Sequence, residues 1–146
     1  MYNHILIPTD GSKLSESAAV AGVKLAKTLS AKVTGFYAPP PATPIEYKGL
    51  LPSYIDPKEH AKAIEKATRK YLEVIDRAAK AAGARCATGS ATSDYPADAI
   101  VAAAKRYGCD LIFIASHGRR GFRTSSLGTQ TQKVLAQTKV PVLMFR

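Results

Sequence analysis

Leu111-Ile112-Phe113-Ile114-Ala115-Ser116-His117-Gly118 opens a stretch that runs on through Gly128-Thr129-Gln130-Thr131 to Val134-Leu135-Ala136. Leu111 to Ala115 reads as a buried strand, and Val134-Leu135-Ala136 belongs to a helix-like pattern. Between them lies a loop rich in glycine, arginine and hydroxyl residues, with Arg119, Arg120 and Arg123 in it and no acidic residue anywhere after Asp110. Strand, glycine-rich loop and helix start in this order make a place for an anion. Glycines let backbone N–H groups converge, and the helix start adds free N–H donors and a partial positive charge. Thr129 and Thr131 add hydroxyls, so a phosphate chain is the first candidate ligand.

Outward from this stretch, the same alternation covers the chain. Ile5-Leu6-Ile7 is a short apolar run broken by Pro8-Thr9-Asp10-Gly11-Ser12. Ser12 is placed to cap the next helix, where Leu14, Ala18, Ala21, Leu25 and Leu29 form one stripe. Lys32 to Ala38 reads as a second strand. Pro39-Pro40-Pro41, Pro44, Pro52 and Pro57 then exclude a regular helix or central strand, because proline has no N–H to donate. This 39–57 connection is long, as functional loops often are. Pro57 opens a helix to about Ala82, with Gly83 as its stop. Arg85 to Ser90 is a weak third strand, Pro96 opens a helix that ends at Gly108, and Leu111 begins the fourth strand. A helix from Thr129 to Thr138 and a strand from Val140 to Phe145 complete the series. The order β-α-β-α-β-α-β-α-β predicts an α/β fold: an open five-stranded parallel sheet with helices on both faces. Ligands of such sheets sit at strand C-termini, where the strand order reverses. Asp10 and the Gly118 loop face one crevice if the first and fourth strands are neighbours.

Composition sets the outer bounds. The chain of 146 residues is expected to be a single domain over residues 1–146 with a full core. No apolar run has membrane-spanning length, and the N-terminus lacks signal-peptide character, so a cytoplasmic protein is expected. Cys86 and Cys109 read as buried reduced thiols, and the scattered His4, His60 and His117 give no support to a metal site. The net charge is +10. Lysines at 58, 62, 66, 70 and 80 alternate with Glu59, Glu65, Glu73 and Asp76, a solvated helix face rather than a nucleic-acid stripe.

Motif by motif, several chemistries drop out. No G-x-G-x-x-G follows the first strand, and no Walker A sequence exists. Asp10 is the one strand-end carboxylate in the expected crevice, short of the cluster a phospho-acceptor domain needs. No nucleophile–base pair can be placed, and His117 reads as a loop-structuring residue. What remains resembles the universal stress protein family over nearly the whole length. The resemblance rests on Ile5-Leu6-Ile7-Pro8-Thr9-Asp10-Gly11-Ser12, Tyr95-Pro96-Ala97-Asp98-Ala99-Ile100, Ser116-His117-Gly118-Arg119 and Val140-Pro141-Val142-Leu143. Nucleotide-binding members carry G-x2-G-x9-G-[S/T] after the fourth strand. Here Gly118, Gly128 and Thr129 fit that spacing, and Ala115 stands where the first glycine belongs.

The resemblance implies a Rossmann-like sheet of the adenine nucleotide alpha hydrolase-like type that binds ATP, with Mg admitted as its companion ion, and acts as a regulator or sensor in the stress response. It places Pro8, Thr9 and Asp10 on the adenosine side and Ala38 at the adenine edge. Ala115 and Gly118 would pass under the ribose and phosphates, and Gly128, Thr129, Gln130 and Thr131 would hold phosphates. Arg119 and Arg120 are added to this set for their charge. The resemblance also implies a homodimer through the last strand, where Val142 to Phe145 is an apolar edge. No membrane or nucleic-acid partner and no catalytic residue is expected. Two other readings stay open: a nucleotide-free regulatory dimer acting through protein contacts, and slow ATP hydrolysis.

Overall fold

The computed structural model describes residues 1–43, 45–48, 51–118 and 127–146. In chain order the elements are β1 (His4–Pro8), α1 (Lys13–Thr28), β2 (Lys32–Tyr37), β3 (Ile45–Lys48), β4 (Leu51–Tyr54), α2 (Pro57–Ala82), β5 (Cys86–Ser90), α3 (Pro96–Arg106), β6 (Leu111–Ala115), α4 (Thr129–Gln137) and β7 (Val142–Phe145). Five of the strands form one sheet in the order β5-β2-β1-β6-β7. Every pairing in it is parallel, with β1 hydrogen-bonded to β2 on one side and to β6 on the other. The order reverses between β1 and β6, so the strands expected to flank the crevice are neighbours.

Side chains of a strand alternate between faces, and this alternation sorts the core into two layers. Ile5 and Ile7 of β1, Val33 of β2 and Leu111, Phe113 and Ala115 of β6 pack with Ala18, Ala19, Val23 and Ala26 of α1 and with Ile75 and Ala79 of α2. Leu6, Phe36, Ile112 and Ile114 face the other way, onto Ala97, Ile100, Ala103 and Ala104 of α3 and Val134 of α4. β1 and β6 are buried along their whole length, as parallel strands covered on both faces must be.

Local signals end the helices where the sequence predicts. Ser12 Oγ accepts from Ser15 N at 3.2 Å and caps α1. Gly83, in the left-handed conformation at φ 69°, closes α2. Three expectations are corrected. The proline-rich connection holds the β3–β4 hairpin, a two-stranded antiparallel sheet apart from the main one. Pro52 is tolerated there because each strand of such a ribbon is an edge, where a missing donor costs little. The last strand starts at Val142 rather than Val140: the Val140 N–H is taken by Thr138 Oγ1 at 3.0 Å, and Pro141 has none to offer. Cys109 is buried, but Cys86 is only half-buried because β5 is an edge strand. Burial pushes the Cys109 thiol up to about 11, with Asp110 adding to the rise, which makes it a poor nucleophile. No helix among the described residues is long and apolar enough to cross a membrane.

The far end of the sheet carries a titratable group in the interior. His4 is 7 % exposed, and its Nε2 lies 2.7 Å from Thr34 Oγ1. Burial holds its imidazole below the ordinary value of 6.5, Lys32 adds to the depression, and Asp110 and the Tyr107 carbonyl oppose it. A base whose folded pKa is depressed favours the neutral form in the fold. Its stabilising contribution is therefore complete above pH 6.5 and is lost as pH falls below that value towards the folded pKa. Thermal melts between about pH 7.5 and pH 5 should show a falling midpoint in the parent and a flatter profile in His4→Gln. Equal slopes would mean that His4 is not the group responsible. The Asp110 carboxyl acts in a separate, more acidic window. Burial works against its charge, but the N–H groups of Asn3 and His4 outweigh this and hold it below 3.8.

Candidate functional site

A cavity of about 590 Å³ lies at the C-terminal ends of β1, β2 and β6, at the switch point and within the usual size of small-molecule sites. β1 and the turn after it contribute Pro8, Thr9 and Asp10, and β2 with its exit contributes Phe36, Tyr37, Ala38 and Pro40. β6 and its loop supply Ile114, Ala115, His117 and Gly118, and the start of α4 supplies Gly128, Thr129, Gln130 and Thr131. The predicted Pro8, Thr9, Asp10, Ala38, Ala115, Gly118, Gly128, Thr129, Gln130 and Thr131 thus share one cavity. Arg119 and Arg120 lie outside the described residues, as does Arg123. Among the described residues no group of three or more His, Cys, Asp or Glu side chains could hold a metal ion.

The wall between β5 and α3 was not legible as part of the site. Ser93, Asp94, Pro96 and Ile100 line the cavity, and the Ser93 N–H donates to Pro39 O at 2.9 Å, which ties this wall to the exit of β2. The rule that implicated the other strand ends applies equally to β5, but its weak apolar pattern hid it. A second unforeseen contact is Tyr71 of α2. Gly11 has φ 79°, and a methyl placed on it would run into the Tyr71 ring. Tyr71 also meets Tyr37 edge-on, with ring centroids 5.2 Å apart. A helix remote in sequence therefore buttresses the β1 exit.

Hydrogen bonds define which groups face the cavity as free donors. Asp10 Oδ1 accepts from Ser12 N at 2.9 Å and from Ser15 Oγ at 2.8 Å. The carboxylate is thus fixed at the N-terminus of α1, where the helix field favours its charge. It extends over Gly118, because a Cβ built there would fall against Asp10 Oδ2. The Thr131 hydroxyl is 4 % exposed as part of its residue and donates to Ala115 O at 2.8 Å, so its proton is committed to the fold. The Gly128 N–H donates to Ser116 O at 2.8 Å, and a Cβ on Gly128 would lie 2.9 Å from His117 Cα. The glycine is therefore required by the loop's own backbone. His117 Nδ1 sits 3.1 Å from Ser116 Oγ, a local contact that matches a loop-structuring role. What remains at this end is the first turn of α4, whose N-cap Gly128 has no side chain to bond it, together with the exposed Thr129 and Gln130. First-turn N–H groups have no intrahelical partners.

Ala115 is the residue that the sequence reading sets at the motif's first glycine position. It ends β6 and is not among the positive-φ residues, so alanine meets no backbone strain there. Its side chain belongs to the layer with Leu111 and Phe113 under α1, which accounts for a methyl group being accommodated.

An open parallel sheet with its cleft at the switch point, walled by the starts of α1, α3 and α4, defines a Rossmann-like α/β fold. Residues 1–146 match the model of the universal stress protein family, and the chain belongs to that family. Among curated relatives, universal stress protein YxiE of Bacillus subtilis is 31% identical over 151 residues, covering 100% of both chains. Universal stress protein MJ0531 of Methanocaldococcus jannaschii is 29% identical over 150 residues, covering 100% of this chain and 83% of its own. The solved structure of hypothetical protein MJ0577 superposes with TM-score 0.79 at 23% identity, covering 99% of this chain and 96% of that one. A universal stress protein in complex with cAMP gives 0.73 at 24%, with 99% and 97% covered. An Arabidopsis thaliana family member with AMP bound gives 0.69 at 16%, with 98% and 90% covered. At these identities the structures are alike in fold.

Proposed function

We propose that the chain is a single-domain adenine-nucleotide-binding regulator of the stress response, cytoplasmic and homodimeric, with ATP as its ligand. The observation that carries this reading is a single cavity with both apolar and phosphate-suited lining. Phe36, Ala38, Pro40, Ile100 and Ile114 give it apolar surface that suits a flat base. The uncapped first turn of α4, together with Gly118, suits phosphate. Pro8, Thr9 and Asp10 line it for the adenosine side, and the cAMP and AMP complexes of fold relatives support an adenine nucleotide. Phosphate donors come from the main chain of Thr129 to Thr131, from the Thr129 hydroxyl and from Arg119 and Arg120; Mg would ride on the phosphates. Fast phosphoryl transfer needs an oriented nucleophile with metal and charge stabilisation, and the hydroxyl that meets His117, that of Ser116, is buried and does not line the cavity. Bound triphosphate should therefore persist and act as a signal.

Isothermal calorimetry should show ATP binding at least about tenfold tighter than adenosine, a difference of about 1.4 kcal/mol. Equal affinities would remove the phosphate contacts from the reading, and no binding of either would favour a nucleotide-free dimer acting through protein contacts.

The dimer rests on β7, an outer strand of the sheet whose Leu143 is 39 % exposed. An open apolar edge invites a second copy. Leu143→Lys should shift the mass in light scattering from dimer to monomer with an unchanged circular-dichroism spectrum, since Leu143 is the most exposed residue of that strand's apolar run. An unchanged dimer mass would locate the interface elsewhere.

A further inference from the structure

Gln130 joins two helices, and what it does there deepens the nucleotide reading and rests on it. α3 begins without a cap of its own. Its N-cap residue, Tyr95, makes no side-chain capping bond, and Pro96 follows with no N–H. Ala97 is 1 % exposed, so its N–H would be a buried orphan donor, a costly state. Its partner comes from α4: Gln130 Oε1 accepts from Ala97 N at 3.1 Å.

This bond fixes the chemistry of the other arm. A backbone N–H can only donate, so the amide oxygen must face Ala97, and the NH₂ group is left as the second arm. Gln130 is the second residue of α4, is exposed, and lines the cavity beside Thr129. An amide whose oxygen is turned to Ala97 presents its N–H donors to a ligand. It therefore suits an acceptor-rich group.

We propose that Gln130 is a positioning and selectivity residue: its oxygen caps α3 in trans, and its NH₂ group donates to a phosphate oxygen seated on the first turn of α4. The same side chain couples the first turn of α4 to the Ser93–Asp94 wall, which precedes α3 and also lines the cavity.

Two substitutions separate the arms. Gln130→Glu keeps an oxygen for Ala97 and turns the donor arm into a negative oxygen. Gln130→Leu removes both. Calorimetry with ATP and with adenosine would be run beside amide hydrogen exchange of Ala97 in the unliganded protein. Gln130→Glu should bind ATP at least about tenfold more weakly, change adenosine affinity by less than about threefold, and keep Ala97 protected. Gln130→Leu should also weaken ATP and should speed Ala97 exchange by about tenfold or more. ATP affinity in Gln130→Glu equal to the parent's would overturn the donor arm. Unchanged Ala97 exchange in Gln130→Leu would overturn the cap. A parent that binds neither ATP nor adenosine would sink the nucleotide reading instead, while Ala97 exchange would still decide the cap.

Discussion

Gly118→Ala is expected to weaken ATP binding by about tenfold or more, roughly 1.4 kcal/mol or above, while leaving the fold intact. Gly118 is not among the positive-φ glycines, so alanine brings no backbone strain. The effect comes from one contact. The new methyl would fall against Asp10 Oδ2, and that carboxylate cannot simply swing away, because Oδ1 is held by Ser12 N at 2.9 Å and Ser15 Oγ at 2.8 Å. The side chain must give up one of those bonds or tilt into the space proposed for the ribose. Calorimetry on Gly118→Ala, Asp10→Ala and the double variant would separate the causes. If the methyl acts through Asp10, the double variant should be no worse than Asp10→Ala alone. Parental affinity in Gly118→Ala would mean that Asp10 lies outside the binding site.

Phe113→Ala is expected to destabilise the protein by about 3–5 kcal/mol, the range for emptying a buried aromatic position. Phe113 is 4 % exposed and sits in the middle of β6 under α1. Its ring reaches Gly22, where a built Cβ would lie 3.0 Å from Phe113 Cδ1, and it packs on Phe145 at a centroid distance of 6.2 Å. α1 comes this close only because Gly22 has no side chain, so the helix cannot readily settle into the space the ring leaves. Against a typical total of about 5–15 kcal/mol, the loss is a large fraction. Urea unfolding should show a lower midpoint with an unchanged slope. A loss below about 1 kcal/mol would mean that the α1 layer collapses freely.

Much of this was readable in one dimension. Apolar runs at Ile5-Leu6-Ile7 and Leu111 to Ile114, with helix stripes between them, gave the fold because burial on both faces of a parallel sheet leaves an unbroken apolar signature. β5 was faint for the opposite reason. It is an edge strand with partly exposed side chains, so its sequence is not forced to be apolar, and nothing apolar points to the Ser93–Asp94 wall behind it. The β3–β4 hairpin was hidden by proline, whose lack of an N–H argues against a central strand but not against a two-stranded ribbon.

The sequence by itself determined the order of elements, the caps at Ser12 and Gly83, and the places of Asp10 and Gly118 after strands and of Thr129 at a helix start, because period, proline and glycine act locally. Tertiary structure alone decided the rest. The pairing of β1 with β6 set Asp10 over Gly118. Packing committed the Thr131 hydroxyl to Ala115, turned the Ala115 side chain into the α1 layer, and brought Gln130 across to cap α3. These are contacts between residues far apart in the chain. A hydrogen-bonding side chain shows its capacity in the sequence, but which partner uses that capacity depends on what the fold brings within about 3 Å.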